Sequence, residues 1–291
     1  PDGGLVAVVA NIELPWTQQP PPYTPLDEAA EINRDLLVVA YGGVCARLRG
    51  PVVDGLPVLT GQTPLTAGSG SPVIRPHRDG LGPVFSGGAQ QYLAGTVGSD
   101  AGGTGPFTLE VLARITSAPS LAGFFTVLSG GDGSARGVLA FGGGSNKNIY
   151  FWGSAADLAS GVDWLEDGSL QHVFIVSEGS GQAMRFYRGG AQIASGTTPT
   201  LSNIGHVSYA VGDFGNWASS PTGAIVKAAH YRRALTPGEV RLLTDDPWAN
   251  FESLRLPISF TASAPSAPTL TAASAVNVTS TSFRPRVTFT R

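Results

Sequence analysis

Residues 230–251 read "HYRRALTPGEVRLLTDDPWANF", and this stretch decides the fold. Thr236 sits at an N-cap position, Pro237 at the first helical position and Glu239 at the third, which completes a capping box. Val240, Leu242 and Leu243 supply a small apolar face, and Pro247 stops continuation. A helix this short is marginal on its own, so the pattern predicts one pinned onto a larger body. After the stop, Trp248 and Phe251 read as packing anchors.

Working upstream, that body reads as strands. "FTLEVLARI" (107–115) alternates Phe107, Leu109, Val111 and Ala113 against Thr108, Glu110, Leu112 and Arg114, mostly the pattern of a strand with one wet face. "FFTVLSGG", "RGVLAFGGG", "NIYFWG", "LQHVFIVSEG", "GHVSYAVGDF" and "AIVKAAHYRRA" follow at short intervals, separated by Gly, Ser, Asp and Asn. "MRFYRGGAQIAS" predicts a hairpin, because Gly189-Gly190 supplies the positive φ of a two-residue turn. Short strands in regular series predict an antiparallel sandwich or barrel, and no α/β alternation supports a parallel sheet. Further upstream, Thr24, Pro25 and Asp27 predict a short helix before a strand at Leu36–Tyr41. "PWTQQPPPYTP" predicts an extended arm that packs on its own domain or on a neighbouring subunit. Beyond Phe251, "ASAPSAP" reads as a linker into a further strand-like segment.

Composition narrows the class. Of 291 residues, 39 are Gly and 22 Pro; 13% are charged, against about a quarter in soluble domains, while 42% hydrophobic content suits a packed core. Net charge is −3 and the basic residues are scattered, so no nucleic-acid footprint is present. The single cysteine, Cys45, excludes an internal disulfide and reads as a small buried hydrophobe. No stretch reaches the roughly 18–20 apolar residues that cross a membrane as a helix, and "GLVAVVANIEL" lacks the basic flank of a signal peptide. Pro1 and the closing "VTFTR" read as limits of a fragment.

The order of these blocks resembles the laminin G-like, concanavalin A-like jelly roll over roughly residues 80–245. "FTLEVLARI", "LQHVFIVSEG", "MRFYRGGAQIAS", "GHVSYAVGDF" and "TGAIVKAAHYRRALTPGEVRLL" match the family's run, the last most specifically. Gln171 stands where the family has Trp, and Arg188-Gly189 where it has Asp-Gly. The flanks "PWTQQPP", "INRDLLVVAYGG", "VFSGGAQQYL" and "DDPWANF" resemble laminin G-like proteins of tailed bacteriophages. The resemblance implies an all-β jelly-roll sandwich with one or two short helices over 27–256, an extended arm over 1–26, and over 257–291 a linker opening a fibronectin III-like or Ig-like module.

The fold hosts hydrolases, lyases, lectins and adhesive modules, so chemistry must come from particular residues. A retaining glycosidase needs two carboxylates about 5–5.5 Å apart; the Glu-x-Asp-x-(x)-Glu run of glucanases with this fold is absent, and Asp163, Glu166 and Asp167 in "DWLEDGS" read as a solvated loop. His77, His172, His206 and His230 lack metal-ligand spacing, and His172 and His230 read as structural. A lyase set of His230, Tyr231 and Arg185 fails because consecutive strand residues face opposite ways. The resemblance admits calcium at Asp132 and Asp213, against ordinary turn aspartates, the reading preferred here; no other cofactor is expected. Asp213, Asn216 and Trp217 form the candidate glycan loop, with Trp152 and Trp164 as alternatives read mainly as packing. The resulting expectation is a non-enzymatic virion or extracellular protein, homo-oligomeric and in contact with other virion proteins. It would adhere to a host glycan, with no nucleic-acid partner and no membrane insertion. A carbohydrate-active enzyme and a secreted bacterial adhesin are the alternatives.

Overall fold

The computed structural model describes residues 6–14, 17–21, 24–27, 29–41, 44–46, 63–64, 66–67, 72–77, 80–88, 92–96, 104–118, 123–129, 138–143, 147–152, 156–201, 207–212, 220–262 and 269–272. In chain order the strands are β1 (Val6–Leu14), β2 (Leu36–Tyr41), β3 (Val44–Ala46), β4 (Thr63–Pro64), β5 (Thr66–Ala67), β6 (Val73–His77), β7 (Gly80–Gly88), β8 (Tyr92–Thr96), β9 (Phe107–Ser117) and β10 (Gly123–Ser129). They continue as β11 (Val138–Gly143), β12 (Asn148–Trp152), β13 (Asp157–Asp163), β14 (Leu170–Ser177), β15 (Ala183–Arg188), β16 (Ala191–Thr197), β17 (Val207–Gly212) and β18 (Ser220–Tyr231). Helix α1 (Pro237–Asp245) follows, then β19 (Leu254–Ala262) and β20 (Thr269–Ala272).

Two antiparallel sheets make the sandwich. One has seven strands in the order β13-β12-β11-β10-β17-β8-β5; the other has ten, with β16-β15-β14-β9-β18-β2-β3-β4 as its path and β7 and β6 added beside β18. Odd-numbered residues of β9 (Phe107, Leu109, Val111, Ala113, Ile115) meet Phe124, Ile149 and Phe151 of the facing sheet in the inter-sheet core. Trp164 closes one end of that core, stacked on Phe124 with centroids 4.2 Å apart and planes 7° from parallel. The Gly189-Gly190 hairpin forms as the sequence predicts, with φ of 56° and 78°.

The even-numbered face of β9 is not wet. Thr108, Glu110 and Leu112 are buried, because α1, Leu26, Trp248 and Phe251 build a second core against this outer face of the ten-stranded sheet. The capping box is formed as read: the Thr236 side chain accepts from the Glu239 N–H and Glu239 accepts from the Thr236 N–H. Arg233 adds an ion pair to Glu239 at 2.7 Å and donates to the Arg34 carbonyl at 2.7 Å, so the helix start is tied to the chain's early segment. Val240 and Leu243 are fully buried, whereas Leu242, expected on the apolar face, is 48% exposed. The helix buries a narrower stripe than the sequence suggests.

The helix expected from Thr24 does not form. Thr24 Oγ1 donates to the Pro21 carbonyl, Leu26 makes an isolated bridge to Phe251, and helical geometry is confined to a 3-10 turn at Glu31–Asn33. The bridge explains this: the backbone at Leu26 is committed to Phe251 in an extended pairing. β1 pairs with β19 along nine residues and β20 extends that pairing into a separate three-stranded sheet. β1 lies in the segment read as an arm, and β19 crosses the boundary placed at 256/257.

Gly223 marks where β18 changes partner geometry. Its φ is 144°, a register shift lies between Thr222 and Gly223, and any Cβ there would collide with the Arg114 carbonyl of β9. Gly223→Ala is expected to lower stability by about 2 kcal/mol or more, read as a reduced urea midpoint with an unchanged m-value.

Candidate functional site

The sequence's preferred ligand loop, Asp213, Asn216 and Trp217, lies outside the described residues, and so do Asp132 and His206. Among the described residues no group of three or more His, Cys, Asp or Glu side chains is placed to hold a metal ion, and no helix is long and apolar enough to cross a membrane.

The most perturbed carboxyl is Glu110, at the centre of β9. Its Oε1 accepts from Lys227 Nζ at 2.5 Å and from His172 Nε2 at 2.8 Å, and its Oε2 accepts from Tyr231 at 3.1 Å. Lys227 gives its remaining protons to the Pro247 carbonyl and to Asn250 Oδ1, both at 2.7 Å. Asn250 in turn donates to Asn33 Oδ1 at 2.7 Å, while Asn33 donates to the Asn250 and Asp27 carbonyls. Burial pushes the Glu110 carboxyl up, but the Lys227 ammonium and the His172 hydrogen bond more than offset it and hold it at about 2. Burial keeps His172 below its ordinary value despite Glu110, so a neutral ring donates from Nε2 to the carboxylate.

This cluster has no route to a ligand. Glu110 and Lys227 are both 0% exposed, and a general acid would need a raised carboxyl, not one held at about 2. It serves as a lock between the sheet and the closing turn. Lys227 reaches it because a bulge between Ile225 and Lys227 turns two successive residues, Val226 and Lys227, to the outer face.

The other expected chemistry is likewise occupied by structure. Glu166 accepts from the Ala118 N–H at 2.6 Å and from Lys147 at 3.0 Å, which lowers its carboxyl; Asp167 is lowered by its hydrogen bonds from Ser169. Both shape the loop, in agreement with the sequence reading. His230 and Tyr231 are buried on opposite faces of β18 and Arg185 pairs with Glu178 at 2.7 Å, so the lyase set is not assembled. Gln171, in the family's Trp position, grips the loop backbone: Oε1 accepts from Leu165 N at 2.9 Å and Nε2 donates to Leu165 O at 2.6 Å. Trp152, Trp164 and Trp248 are all buried.

The accessible chemistry lies on the outer side of the seven-stranded sheet, along β12 and β13. Ile149 and Phe151 point into the inter-sheet core, so Asn148, Tyr150 and Trp152 share the outer face. Tyr150 is half-buried, its ring tilted against Trp152 at 5.2 Å. On β13, Asp157, Ala159, Gly161 and Asp163 are exposed. Register sets Tyr150 between two small residues, Ala159 on one side and Gly142 on the other, and sets Asn148 against Asp163. Asn148 Nδ2 donates to the Asp163 carboxylate, and Arg188 donates to the Asp163 carbonyl at 2.8 Å.

Between Asn148/Asp163 and Tyr150/Ala159, β13 bulges. Three residues, Ser160–Val162, stand opposite the single Ile149; Gly161 takes φ of 71°, and nothing lies within 4 Å of where its Cβ would be. The result is an open shelf beside an aromatic ring, with an amide and two carboxylates at its ends. In the sequence, "DLASGVD" carries little strand signal, and the aromatics singled out for a ligand are Trp217, Trp152 and Trp164. The signal was the alternation of Asn148, Tyr150 and Trp152 against Ile149 and Phe151.

The chain belongs to the concanavalin A-like lectin/glucanases superfamily, whose laminin G-type family model matches residues 86–241, more than half of the chain. No curated protein matches it in sequence. Among solved structures, it is similar to domain 4 of AbnA, a GH43 extracellular arabinanase from Geobacillus stearothermophilus, in complex with arabinotriose (17% identity, TM-score 0.48, 60% of this chain and 82% of that one). It is also similar to the CBM40 of Ruminococcus gnavus IT-sialidase bound to α2,3 sialyllactose (14% identity, TM-score 0.43, 56% of this chain and 96% of that one). A third is the binding domain of botulinum neurotoxin DC in complex with SialylT (11% identity, TM-score 0.49, 74% of this chain and 52% of that one).

Acid sensitivity follows from the buried groups. Glu110 and His230 have folded values, about 2 and about 3, below their ordinary 4.5 and 6.5, burial being the cause for His230. In acid the unfolded chain therefore binds more protons, so stability is lost as pH falls. The His230 contribution drops away from about 6.5 to 3 and that of Glu110 from about 4.5 to 2. Urea midpoints across that window should decline, and Lys227→Met, which strands a buried carboxylate, should cost about 3–5 kcal/mol at neutral pH. A double variant, Glu110→Leu with Lys227→Met, should recover most of it.

Proposed function

We propose that this chain is a non-enzymatic carbohydrate-binding domain whose ligand rests on the β12–β13 shelf. The observation that carries the reading is Tyr150, half-exposed between Ala159 and Gly142 and beside the open bulge at Gly161. A sugar ring presents an apolar C–H face that suits an aromatic ring, while its hydroxyls suit the amide and carboxylates of Asn148, Asp163 and Asp157. Membership of a superfamily that contains lectins supports the class. The non-catalytic half of the reading is supported by the acid loop, where Glu166 and Asp167 are engaged by backbone N–H groups, and by the sealed Glu110. The setting we propose is the surface of a tailed-phage virion, where such a domain would hold the particle to host glycans. Its support is the resemblance of the flanking "PWTQQPP" and "DDPWANF" segments to phage-encoded proteins.

A glycan array followed by titration calorimetry tests this. Tyr150→Ala is expected to weaken the bound glycan roughly tenfold, equivalent to about 1.4 kcal/mol, with the thermal transition unchanged. Wild-type affinity in Tyr150→Ala would move the site elsewhere, and release of reducing ends from a bound polysaccharide would make the domain an enzyme.

A further inference from the structure

Strand β1 has one neighbour. It pairs with β19 from Val6↔Ala262 to Leu14↔Leu254 without a register shift, and β19 pairs on its other side with β20. Among the described residues no strand lies along the outer side of β1, so a nine-residue backbone edge presents its N–H and C=O groups there. Proteins blunt such edges with proline, lysine, bulges or very short strands. "VAVVANIEL" has none of these, and its one charge is Glu13.

The register also pairs like with like. Every even-numbered position of β1 and β19 is apolar in sequence and stands opposite another such position, or opposite Leu270 or Ala272 of β20, whereas the odd-numbered positions include Asn11, Glu13, Arg255 and Ser259. A strand added at the β1 edge must keep this parity, since a slip of one residue would put apolar positions opposite polar ones.

We propose that β1 pairs antiparallel with β1 of a second copy of this chain, about a two-fold axis at Ala10, joining two three-stranded sheets into one of six strands. The sequence is self-complementary about that axis. Val6 meets the partner's Leu14, Val8 meets the partner's Ile12 and Ala10 meets the partner's Ala10, so even positions meet even positions and the apolar row runs on unbroken. Glu13 meets the partner's Ala7, not another carboxylate. Ala10 is the two-fold centre that keeps all nine residues paired; any other shortens the overlap. The pairing is isologous, so it closes at two copies and leaves no further β1 edge.

The test uses the full chain with Cys45→Ser, so that introduced thiols are the only ones. In Ala10→Cys the two thiols would sit on directly opposed residues, about 4.5–5.5 Å apart at Cα, within the range of about 4.4–6.8 Å that a disulfide spans. In Val6→Cys they would lie at opposite ends of the paired segment, about 27 Å apart. The expected result is a dimer mass by light scattering, near-complete cross-linking of Ala10→Cys under mild oxidation, and none of Val6→Cys. Ala10→Glu, which opposes two carboxylates at the axis, is expected to shift the dimer to monomer without changing the thermal transition of the jelly roll. A monomeric chain, a dimer that Ala10→Cys fails to cross-link, or equal cross-linking of both cysteine variants would overturn the proposal.

Discussion

A lysine ammonium with no solvent exposure, 2.5 Å from a carboxylate with none, governs how the outer face of the ten-stranded sheet is closed. Taking both charges out of water costs several kcal/mol per ion, and their attraction repays this only when every remaining proton and lone pair is used. Here they are: Lys227 spends its three protons on Glu110, Pro247 and Asn250, and Glu110 accepts from Lys227, His172 and Tyr231. Two of those partners lie in the turn after α1, so the turn has one position in which the charges are satisfied. Through Asn250 and Asn33 the same condition reaches the segment at 27–33, which has no sequence proximity to the helix. A purely apolar outer face could accept α1 in several rotations; a charge pair with fixed partners accepts one.

That lock also divides labour between the two sheets. Once α1, Trp248 and Phe251 cover the outer face of the larger sheet, its polar groups are withdrawn from any ligand. Carboxylates that would draw attention by their perturbation, Glu110 above all, are therefore poor guides to function here. Perturbed groups mark functional sites only when a ligand can reach them, and structural ion pairs perturb carboxyls just as strongly. The smaller sheet carries exposed polar groups on its outer side, along β12 and β13.

The parts legible in the sequence were those set by local rules. The Gly189-Gly190 turn, the capping box at Thr236 and the odd-numbered core residues of β9 each follow from backbone sterics or strand period alone. What stayed illegible depended on partners distant in sequence. Glu110 and Lys227 are 117 residues apart, and nothing in "FTLEVLARI" says that its even face will be roofed. The Thr24 helix signal was sound locally but lost to the bridge between Leu26 and Phe251. β13 was obscured for a different reason: its exposure alternates strictly, but Ala159, Ser160 and Gly161 at its centre supply little of the apolar and β-branched signal by which a strand is seen. Of the candidate aromatics, Trp152 and Trp164 are buried, as their reading as packing residues expects, and Tyr150 has no sequence feature that sets it apart from other strand aromatics.

The bulge at Ser160–Val162 has a bland explanation, since β13 is the last strand of its sheet and bulges are a common device for protecting edges. Edge protection alone, however, asks only that the strand be spoiled for pairing. It does not call for a glycine at φ of 71° with empty space above it, or for small residues on both sides of Tyr150, or for Asn148 to hold the Asp163 carboxylate at the bulge's end. Those features leave open space beside an aromatic face with polar groups around it, the arrangement on which the proposed sugar site rests. One irregularity thus both blunts an edge and opens a shelf beside Tyr150.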